Sequence, residues 1–337
     1  MNKIIFIVSI LICCFSCKQA SKQENEHAKQ ELHYLKASGI VFGTNYNIQY
    51  YSEQPENFQK QFDSLFEVIN TSMSTYIPDS DISKFNRNEP VTLDHHFKTV
   101  YKASQKIYEE TQGVFDPTIG NVVNAWNFGP DKNKFLTDSS TIRRLMRNVG
   151  FNNVKHTDEG FVKPDDTYVD FNAIAKGYGI DVIGDFLVSK GIYNYLVDIG
   201  GDLRAAGINI KNQKAWTIGI DDPNFDGSQS YSKIISLSDK GMATSGTYRK
   251  FKVDDNGNRY AHIINTKTGY PTKTNVLSVS VIAPNAMLAD GYATAFQAMG
   301  IEAVTSFLEQ HPELQVYFIY LTDNDALETL SLNNFPE

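Results

Sequence analysis

The segment MLADGYATAF, residues 287–296, combines an apolar helical pattern with one carboxylate and one hydroxyl. Asp290 and Thr294 are four residues apart, so in a helix they lie one turn apart on the same face. An ionised aspartate is seldom fully buried unless it is paired or binds a metal ion. Two interpretations are open. The pair supplies oxygen ligands to Mg²⁺, or Asp290 caps or pairs locally while Thr294 bonds to the preceding helical turn.

A second group of polar residues lies in DFNAIAKG, residues 170–177. Asp170 is predicted at the end of a strand, the backbone is open through Ala173, and Lys176 adds a cation. A strand that runs into the start of a helix is a suitable place for an anionic phosphate. Further along, LVDIGGDLRAAG contains two adjacent glycines, where a ligand can approach the backbone closely.

Other motifs indicate different chemistry. The sequence contains no P-loop, no G-x-G-x-x-G after a strand and no H-E-x-x-H zinc motif. SYSK at 230–233 and KTG at 267–269 match parts of the penicillin-binding signature, but this serine opens a predicted strand instead of a helix, so we expect a chance match. Ser245 with His262 and Asp290 is a weaker alternative, a hydrolytic triad without the G-x-S-x-G elbow.

Composition and charge exclude further classes. The chain has 337 residues and a formal net charge of -8, which argues against a nucleic-acid partner bound by bulk electrostatics. All three cysteines (Cys13, Cys14 and Cys17) lie in the leading segment. The remainder of the chain therefore has neither a disulfide framework nor a cysteine-ligated metal.

The leading segment MNKIIFIVSILICCFSC has a lysine followed by an apolar run of secretory-signal length. Its Ser16-Cys17 ending resembles a bacterial lipoprotein signal, in which the cysteine becomes the lipidated N-terminus; a plain cleaved signal is the alternative. We expect a lipoprotein signal over residues 1–17, a flexible tether over 18–36 and one folded domain over 37–337. The domain would be anchored to a membrane through Cys17 and face the periplasm.

Strand and helix patterns alternate from GIVFGTNYNIQYY onward. Helical spacing predicts helices over 58–76, 94–113, 140–150 and within 171–190, and two more over 285–300 and 301–311. Strands are predicted at DTYVD, YNYLVDI, AWTIGI, YSKIISLS, AHIIN and VLSVSVIA, with LQVYFIYL closing the chain. The pattern favours an α+β domain with a largely antiparallel sheet.

Taken in order, these segments resemble the ApbE family, the FAD:protein FMN transferases. The resemblance spans residues 38 to 310 approximately. It is carried by FGTNYNIQY, MSTYIPDSDISKFN, GVFDPTIGNVVNAWNFG, DFNAIAKGYGIDVIGDFL, YLVDIGGDLRAAG, ATSGTYRKF, HIINTKTGYP and MLADGYATAFQAMG. It implies an α+β fold related to a duplicated tunnelling-type fold.

The resemblance also implies an activity. Such an enzyme cleaves FAD with Mg²⁺, attaches FMN through a phosphoester to a Thr or Ser of an exported or membrane redox protein, and releases AMP. Two other functions stay open at this point. One is a Mg²⁺-dependent FAD pyrophosphatase that yields FMN and AMP, and the other is a lipoprotein that binds FAD without catalysis.

Finally, the resemblance implies site residues. The Mg²⁺ ligands would be Asp290, Thr294 and the backbone carbonyl of Ala173. His262 and Asp290 are the candidate catalytic residues, since a neutral imidazole can take the proton of the acceptor hydroxyl; a structural role explains His262 equally well. Aromatic rings suit the flat isoalloxazine. The predicted FAD contacts are Phe42, Tyr76, Val114, Phe115, Asp116, Asp170, Ala173, Lys176 and Ile264.

Overall fold

The structure is a computed structural model. It describes residues 32–130, 137–223, 230–247, 251–253 and 259–337. The predicted signal and most of the predicted tether lie outside the described residues. Within the described ranges, no helix is both long and apolar enough to cross a membrane.

One eight-stranded sheet forms the centre of the domain. In spatial order its strands are β1 His33–Val41, β2 Thr44–Ser52, β5 Tyr195–Ile199, β6 Asp202–Ala206, β9 Lys240–Gly246, β12 Val276–Ala283, β13 Gln315–Leu321 and β14 Leu327–Leu332. Every neighbouring pair is antiparallel, which confirms the predicted fold class. Two-stranded ribbons are formed by β3 Lys155–Thr157 with β4 Gly160–Val162, β7 Trp216–Asp221 with β8 Tyr231–Leu237, and β10 Phe251–Val253 with β11 Arg259–Ala261.

All six predicted helices are present, usually with shorter ends, and two short helices, Asp81–Asn86 and Gly120–Ala125, were not predicted. They are α1 Gln59–Met73, α2 Asp81–Asn86, α3 His95–Glu110, α4 Gly120–Ala125, α5 Ser139–Met146, α6 Ala175–Ser189, α7 Ala286–Met299 and α8 Ile301–Leu308. Helix α6 packs on β5 and β6, α7 packs on β9 and β12, and the two helices contact each other. The β7–β8 ribbon joins a separate buried cluster with residues of the central sheet, including Leu203, Ile282 and Tyr317.

The N-terminus of α7 lies directly against neighbouring backbone. A Cβ atom on Gly177 of α6 would lie 2.3 Å from the carbonyl oxygen of Ala286, and one on Gly241 of β9 would lie 2.2 Å from the Ala286 nitrogen. The Asp181 carboxylate accepts the N–H groups of Ala286 and Met287 at 3.1 and 2.8 Å. A side chain of α6 therefore satisfies the first N–H groups of α7.

The predicted strand at DTYVD is wrong. Residues 167–170 belong to no sheet, because the side-chain amide of Asn86 bonds both the N–H and the carbonyl of Val169, each at 2.8 Å. The N–H of Asp170 donates to the carbonyl of Pro117 at 2.8 Å. A side chain thus takes the place of a neighbouring strand, and Asp170 lies in an extended loop instead of at a strand end.

Three boundaries also differ from the predictions. Strand β1 begins at His33, within the segment predicted as tether, so paired backbone starts before residue 37. The predicted AHIIN strand is not continuous. Strand β11 ends at Ala261, and an isolated bridge then joins Ile264 to Pro271. The LQVYFIYL strand does not close the chain, since β14 follows it at the edge of the sheet.

Replacing Gly177 with alanine should destabilise the domain, because the added methyl group would meet the rigid backbone of Ala286. We expect the free energy of unfolding in urea to fall by about 1–3 kcal/mol through overpacking. Gly179→Ala is the matched control in the same helix, since its Cβ would meet side chains and no backbone: the Phe42 ring at 2.6 Å and Cδ1 of Ile69 at 3.8 Å. A loss for Gly177→Ala no larger than that for Gly179→Ala would contradict the close helix contact.

Asp181 should make stability depend on pH. Burial raises its pKa to about 6, although the N–H of Met287 and the Arg204 guanidinium favour the ionised form. An unfolded aspartate titrates near pH ~3.9. The ionised carboxyl therefore costs stability, and its contribution to the free energy of unfolding falls as pH rises from about 4 to about 6.

Asp181→Asn should consequently flatten the pH profile of the unfolding free energy between those two values, as measured by urea titration at a series of pH values. Asp185→Asn is the control, because it removes the exposed partner of the same Arg204 guanidinium. Parallel profiles for the wild type and Asp181→Asn would show that burial does not raise this pKa.

Candidate functional site

Three predicted cation ligands converge where α6 begins beside α7. The Thr294 hydroxyl lies 3.5 Å from the carbonyl oxygen of Ala173, and Oδ2 of Asp290 accepts the N–H of Gly177 at 2.9 Å. If α6 began one turn earlier, the N–H of Gly177 would donate to the carbonyl of Ala173, four residues before it. The Asp290 carboxylate intercepts it, and the Ala173 carbonyl therefore lies outside the backbone ladder of α6.

This arrangement shows how the carboxylate of Asp290 is accommodated on an apolar helix. Asp290 is buried, with a relative exposure of 6%, and it is paired with the N–H of the neighbouring helix. The Thr294 hydroxyl contacts Ala173 instead of bonding only within its own helix. Both interpretations thus describe part of the geometry: Asp290 does bond backbone, and it does so beside two further oxygen donors.

A partly buried cation accompanies these donors. Nζ of Lys176 lies 2.5 Å from Oδ2 of Asp202 at the start of β6. Burial by itself would lower the pKa of Lys176, but the carboxylates of Asp202 and Asp290 outweigh burial and raise it to about 12. The ammonium therefore stays charged at neutral pH, next to the predicted metal ligands.

Ser245 on β9 is a site residue that the sequence interpretation placed in a different role. Its hydroxyl lies 3.5 Å from the Thr294 hydroxyl, so it adds an oxygen to the same group. The sequence interpretation considered Ser245 only as a triad nucleophile, because spacing along the chain does not show that β9 lies under α7. The contacts of Ser245 with Thr294 and of Asp290 with Gly177 are not those of a triad.

Two of the three aromatic residues predicted to contact flavin, Phe42 and Tyr76, flank α1 in the sequence. Phe42 is at the tip of the β1–β2 hairpin, with its ring 5.7 Å from that of Phe66, centroid to centroid. Tyr76 follows α1 and is 59% exposed. Partial burial and the Asp170 carboxylate raise the Tyr76 pKa, which places this ring near another predicted contact.

The Val114-Phe115-Asp116 turn is held by its own aspartate. The Asp116 carboxylate accepts the N–H and hydroxyl of Thr118 at 2.8 and 2.6 Å and the N–H of Phe151 at 3.3 Å. Burial raises the Asp116 pKa. The carboxylate therefore fixes the turn through hydrogen bonds within the domain. A contact of this turn with flavin remains a prediction.

Three predicted residues remain, Asp170, Ile264 and His262, and each has its own local contacts. Asp170 accepts the N–H of Asn172 at 2.7 Å, and burial raises its pKa. Ile264 is buried in a cluster with Trp126. His262 is half-buried, with its ring 6.3 Å from that of Phe128, and its role as a proton carrier stays a prediction.

Comparison with known proteins supports the resemblance. The model of the ApbE family matches residues 42–318. This chain belongs to the ApbE family. Similar proteins include the FAD:protein FMN transferases of Vibrio cholerae, 38% identical over 89% of this chain and 91% of the relative, and of Haemophilus influenzae, 34% identical over 88% and 89%.

Solved ApbE structures share the fold. The flavin transferase ApbE from Vibrio cholerae has a TM-score of 0.80 and 35% identity, over 89% of this chain and 97% of that protein. The apo flavinyl transferase ApbE from Pseudomonas stutzeri has a TM-score of 0.79 and 26% identity, over 89% and 95%. Both match the mixture of helices with an antiparallel sheet described above.

The donor set of this ApbE protein suits a hard cation. Within the described ranges, no group of three His, Cys, Asp or Glu side chains could hold a metal ion. The predicted set is of another type: one carboxylate, one hydroxyl and one backbone carbonyl, all oxygen donors that Mg²⁺ accepts while keeping waters. The residues therefore fit the ion that the family resemblance implies.

The domain also contains a cavity of about 640 Å³ that none of the donor residues lines. Its walls come from the end of α3, from α8 and from residues 265–267, and they include Val114 and Ala298. Ala298 is one helical turn beyond Thr294 on α7. The cavity shares Val114 with the predicted flavin contacts, but Asp290 and Lys176 lie outside its walls.

Proposed function

We propose that this protein is an FAD:protein FMN transferase that attaches FMN through a phosphoester to a Thr or Ser of a redox protein and releases AMP. The observation that carries the proposal is the meeting of Ala173, Asp290 and Thr294 beside Lys176, where α6 begins. Hard oxygen donors next to a partly buried cation suit a pyrophosphate. Relatives named FAD:protein FMN transferase support the choice of substrate.

The proposed reaction balances without a redox partner. The oxygen of the acceptor hydroxyl forms a bond to the phosphorus of the FMN half of FAD, and the bond from that phosphorus to the bridging oxygen breaks. AMP leaves with the bridging oxygen. The hydroxyl proton passes to a base, for which His262 is our candidate.

Ala173, Asp290 and Thr294 would hold Mg²⁺ through a carbonyl, a carboxylate and a hydroxyl oxygen. When bound, the ion supplies Lewis-acid stabilisation of charge on phosphate oxygens. Lys176 binds a phosphate oxygen through an ammonium that remains charged. The Ser245 hydroxyl lies close enough to Thr294 to orient it.

Two rival functions use the same residues. In a pyrophosphatase, water replaces the acceptor hydroxyl and the products are FMN and AMP. In a storage protein, FAD binds and is not cleaved. Incubation with FAD, Mg²⁺ and a candidate acceptor separates the three, because flavin fluorescence that comigrates with the acceptor on a denaturing gel requires transfer. Free FMN with AMP indicates hydrolysis, and unchanged FAD indicates storage.

Asp290→Asn should reduce the transfer rate by at least about a hundredfold, equivalent to about 3 kcal/mol of lost charge stabilisation. In the same variant, Mg²⁺ should no longer raise the melting temperature, since ligand-linked stabilisation requires binding. The melting temperature without metal should stay close to that of the wild type, because the asparagine oxygen can still accept the Gly177 N–H.

Asp181→Asn is the matched control for this experiment. It also neutralises a buried carboxylate that accepts helix N–H groups, but it lies away from Ala173 and Thr294 along α6. We expect it to keep Mg²⁺-dependent transfer and the Mg²⁺-induced rise in melting temperature. Near wild-type transfer by Asp290→Asn would remove Asp290 from the metal site.

We further propose that the protein is a lipoprotein anchored through Cys17, with the domain in the periplasm, where it meets exported or membrane redox proteins. The support is sequence alone: an apolar run of signal length, the Ser16-Cys17 junction and the polar stretch that follows. The formal net charge of -8 gives no reason to expect a nucleic-acid partner.

Cys17→Ser should move the protein from the membrane fraction to the soluble periplasmic fraction or to an unprocessed pool, because the lipid attaches to that sulfur. Cell fractionation and labelling with a radioactive fatty acid measure the change. Cys14→Ser is the matched control and should leave the label and the fractionation as in the wild type. A wild-type protein that takes up no label contradicts the anchor.

A further inference from the structure

The carboxylate of Asp202 is the most buried charged group next to the predicted phosphate site, and the functional assignments above do not use it. It lies at the first position of β6 with a side-chain exposure of 3%, and it forms the 2.5 Å ion pair with Lys176. The lysine side chain is 28% exposed, so the ion pair consists of a buried carboxylate and an ammonium that reaches solvent.

Both oxygens of this carboxylate are engaged. Oδ2 faces the Lys176 ammonium, and Oδ1 accepts the N–H of Thr244 on β9 at 3.0 Å. The turn before β6 passes through Gly200 and Gly201 with positive φ angles of 62° and 91°. This left-handed turn returns the chain sharply enough to place Asp202 under the first turn of α6. The orientation of the carboxylate is therefore set by two strands.

Electrostatics require a partner for the lysine. Lys176 is in the first turn of α6, where the helix dipole disfavours a cation. Burial also disfavours the charge, and the Asp202 carboxylate is the largest of the effects that restore it. An ammonium has three N–H donors. The contact with Asp202 takes one and fixes the direction of the others.

A purely structural ion pair explains this arrangement less well. Buried ion pairs are weak contributors to stability compared with apolar residues of the same volume. The lysine side chain is also 28% exposed, and the charge of Asp290 acts on it. An ammonium held on one side by a buried carboxylate and open on the other is suited to bind an anion.

We infer that Asp202 is a positioning residue, which holds the Lys176 ammonium so that its remaining N–H groups meet a pyrophosphate oxygen of the dinucleotide. This inference rests on the proposed function, because it takes FAD as the ligand. Asp202 itself does not touch the substrate. It acts through Lys176, and the two residues therefore form one functional unit.

A double-mutant cycle on FAD affinity tests the inference. The dissociation constant is measured by flavin fluorescence in EDTA, where metal-dependent turnover cannot consume FAD, for the wild type, Asp202→Asn, Lys176→Met and the double variant. We expect each single variant to weaken binding about tenfold, equivalent to about 1.4 kcal/mol. The double variant should match Lys176→Met within about twofold, because the two residues act as one.

Asp198→Asn is the matched control. Asp198 belongs to the same hairpin and accepts the N–H of Gly201 at 3.0 Å, and its charge acts on Lys176 without a hydrogen bond between them. We expect its FAD affinity to stay within about twofold of the wild type. If Asp202→Asn does not fold, Asp202→Glu replaces it, since it keeps the charge but shifts the carboxylate and should still weaken binding.

Several outcomes overturn the inference. The first is a loss of FAD affinity in the double variant equal to the product of the losses in the two single variants. The second is an unchanged FAD affinity in Lys176→Met. The third is a lower melting temperature in Asp202→Asn with unchanged FAD affinity. FMN transfer by the wild type is measured separately. A wild type that binds FAD but transfers no FMN overturns the proposed function alone, because the cycle still decides the role of Asp202. A wild type that binds no FAD overturns both.

Discussion

The hydrogen bond from Gly177 to Asp290 is the interaction on which the site depends. It requires α6 and α7 to approach at a residue without a side chain, and a Cβ there would also lie 2.8 Å from the Cβ of Asp290. By accepting this N–H, the carboxylate keeps the Ala173 carbonyl out of the helix ladder. A single contact therefore joins the two helices, stabilises a buried charge and frees a backbone oxygen for a ligand.

The two groups of predicted site residues lie on different kinds of element. Helices α6 and α7 and strands β6 and β9 carry Lys176, Asp290, Asp202 and Ser245, and all four elements pack tightly in the core. The residues predicted to contact flavin lie on a hairpin tip, a helix end and loops. Chemistry on a phosphate requires that oxygen donors be held within fractions of an ångström of their productive positions, whereas a planar ring tolerates a more adaptable surface. The predicted phosphate-site residues accordingly lie on packed helices and strands, and the predicted flavin contacts lie on loops.

The sequence predicted the fold class and the six longer helices, because apolar periodicity persists through each of them, but it did not predict the six-residue helices α2 and α4. It also placed Asp290 and Thr294 on one helix face, since that follows from spacing alone. It failed at Val169, where the amide of Asn86 imitates a neighbouring strand from 83 residues away. It did not place Ser245 or Asp202 in the site for the same reason: their partners, Thr294 and Lys176, are adjacent only after the sheet forms.

The charges in the site explain why oxygen donors and a lysine occur together. Asp202 neutralises Lys176, and the charge of Asp290 remains, with Asp198 nearby. A pyrophosphate placed here would add further negative charge to a region already rich in carboxylates, and at short range in a partly buried site such repulsion is large. The lysine offsets only part of this repulsion, because its ammonium is also paired with Asp202. The carbonyl of Ala173 and the hydroxyl of Thr294 lie where an additional cation would lower this repulsion and so tighten the binding of a dinucleotide beside Asp290.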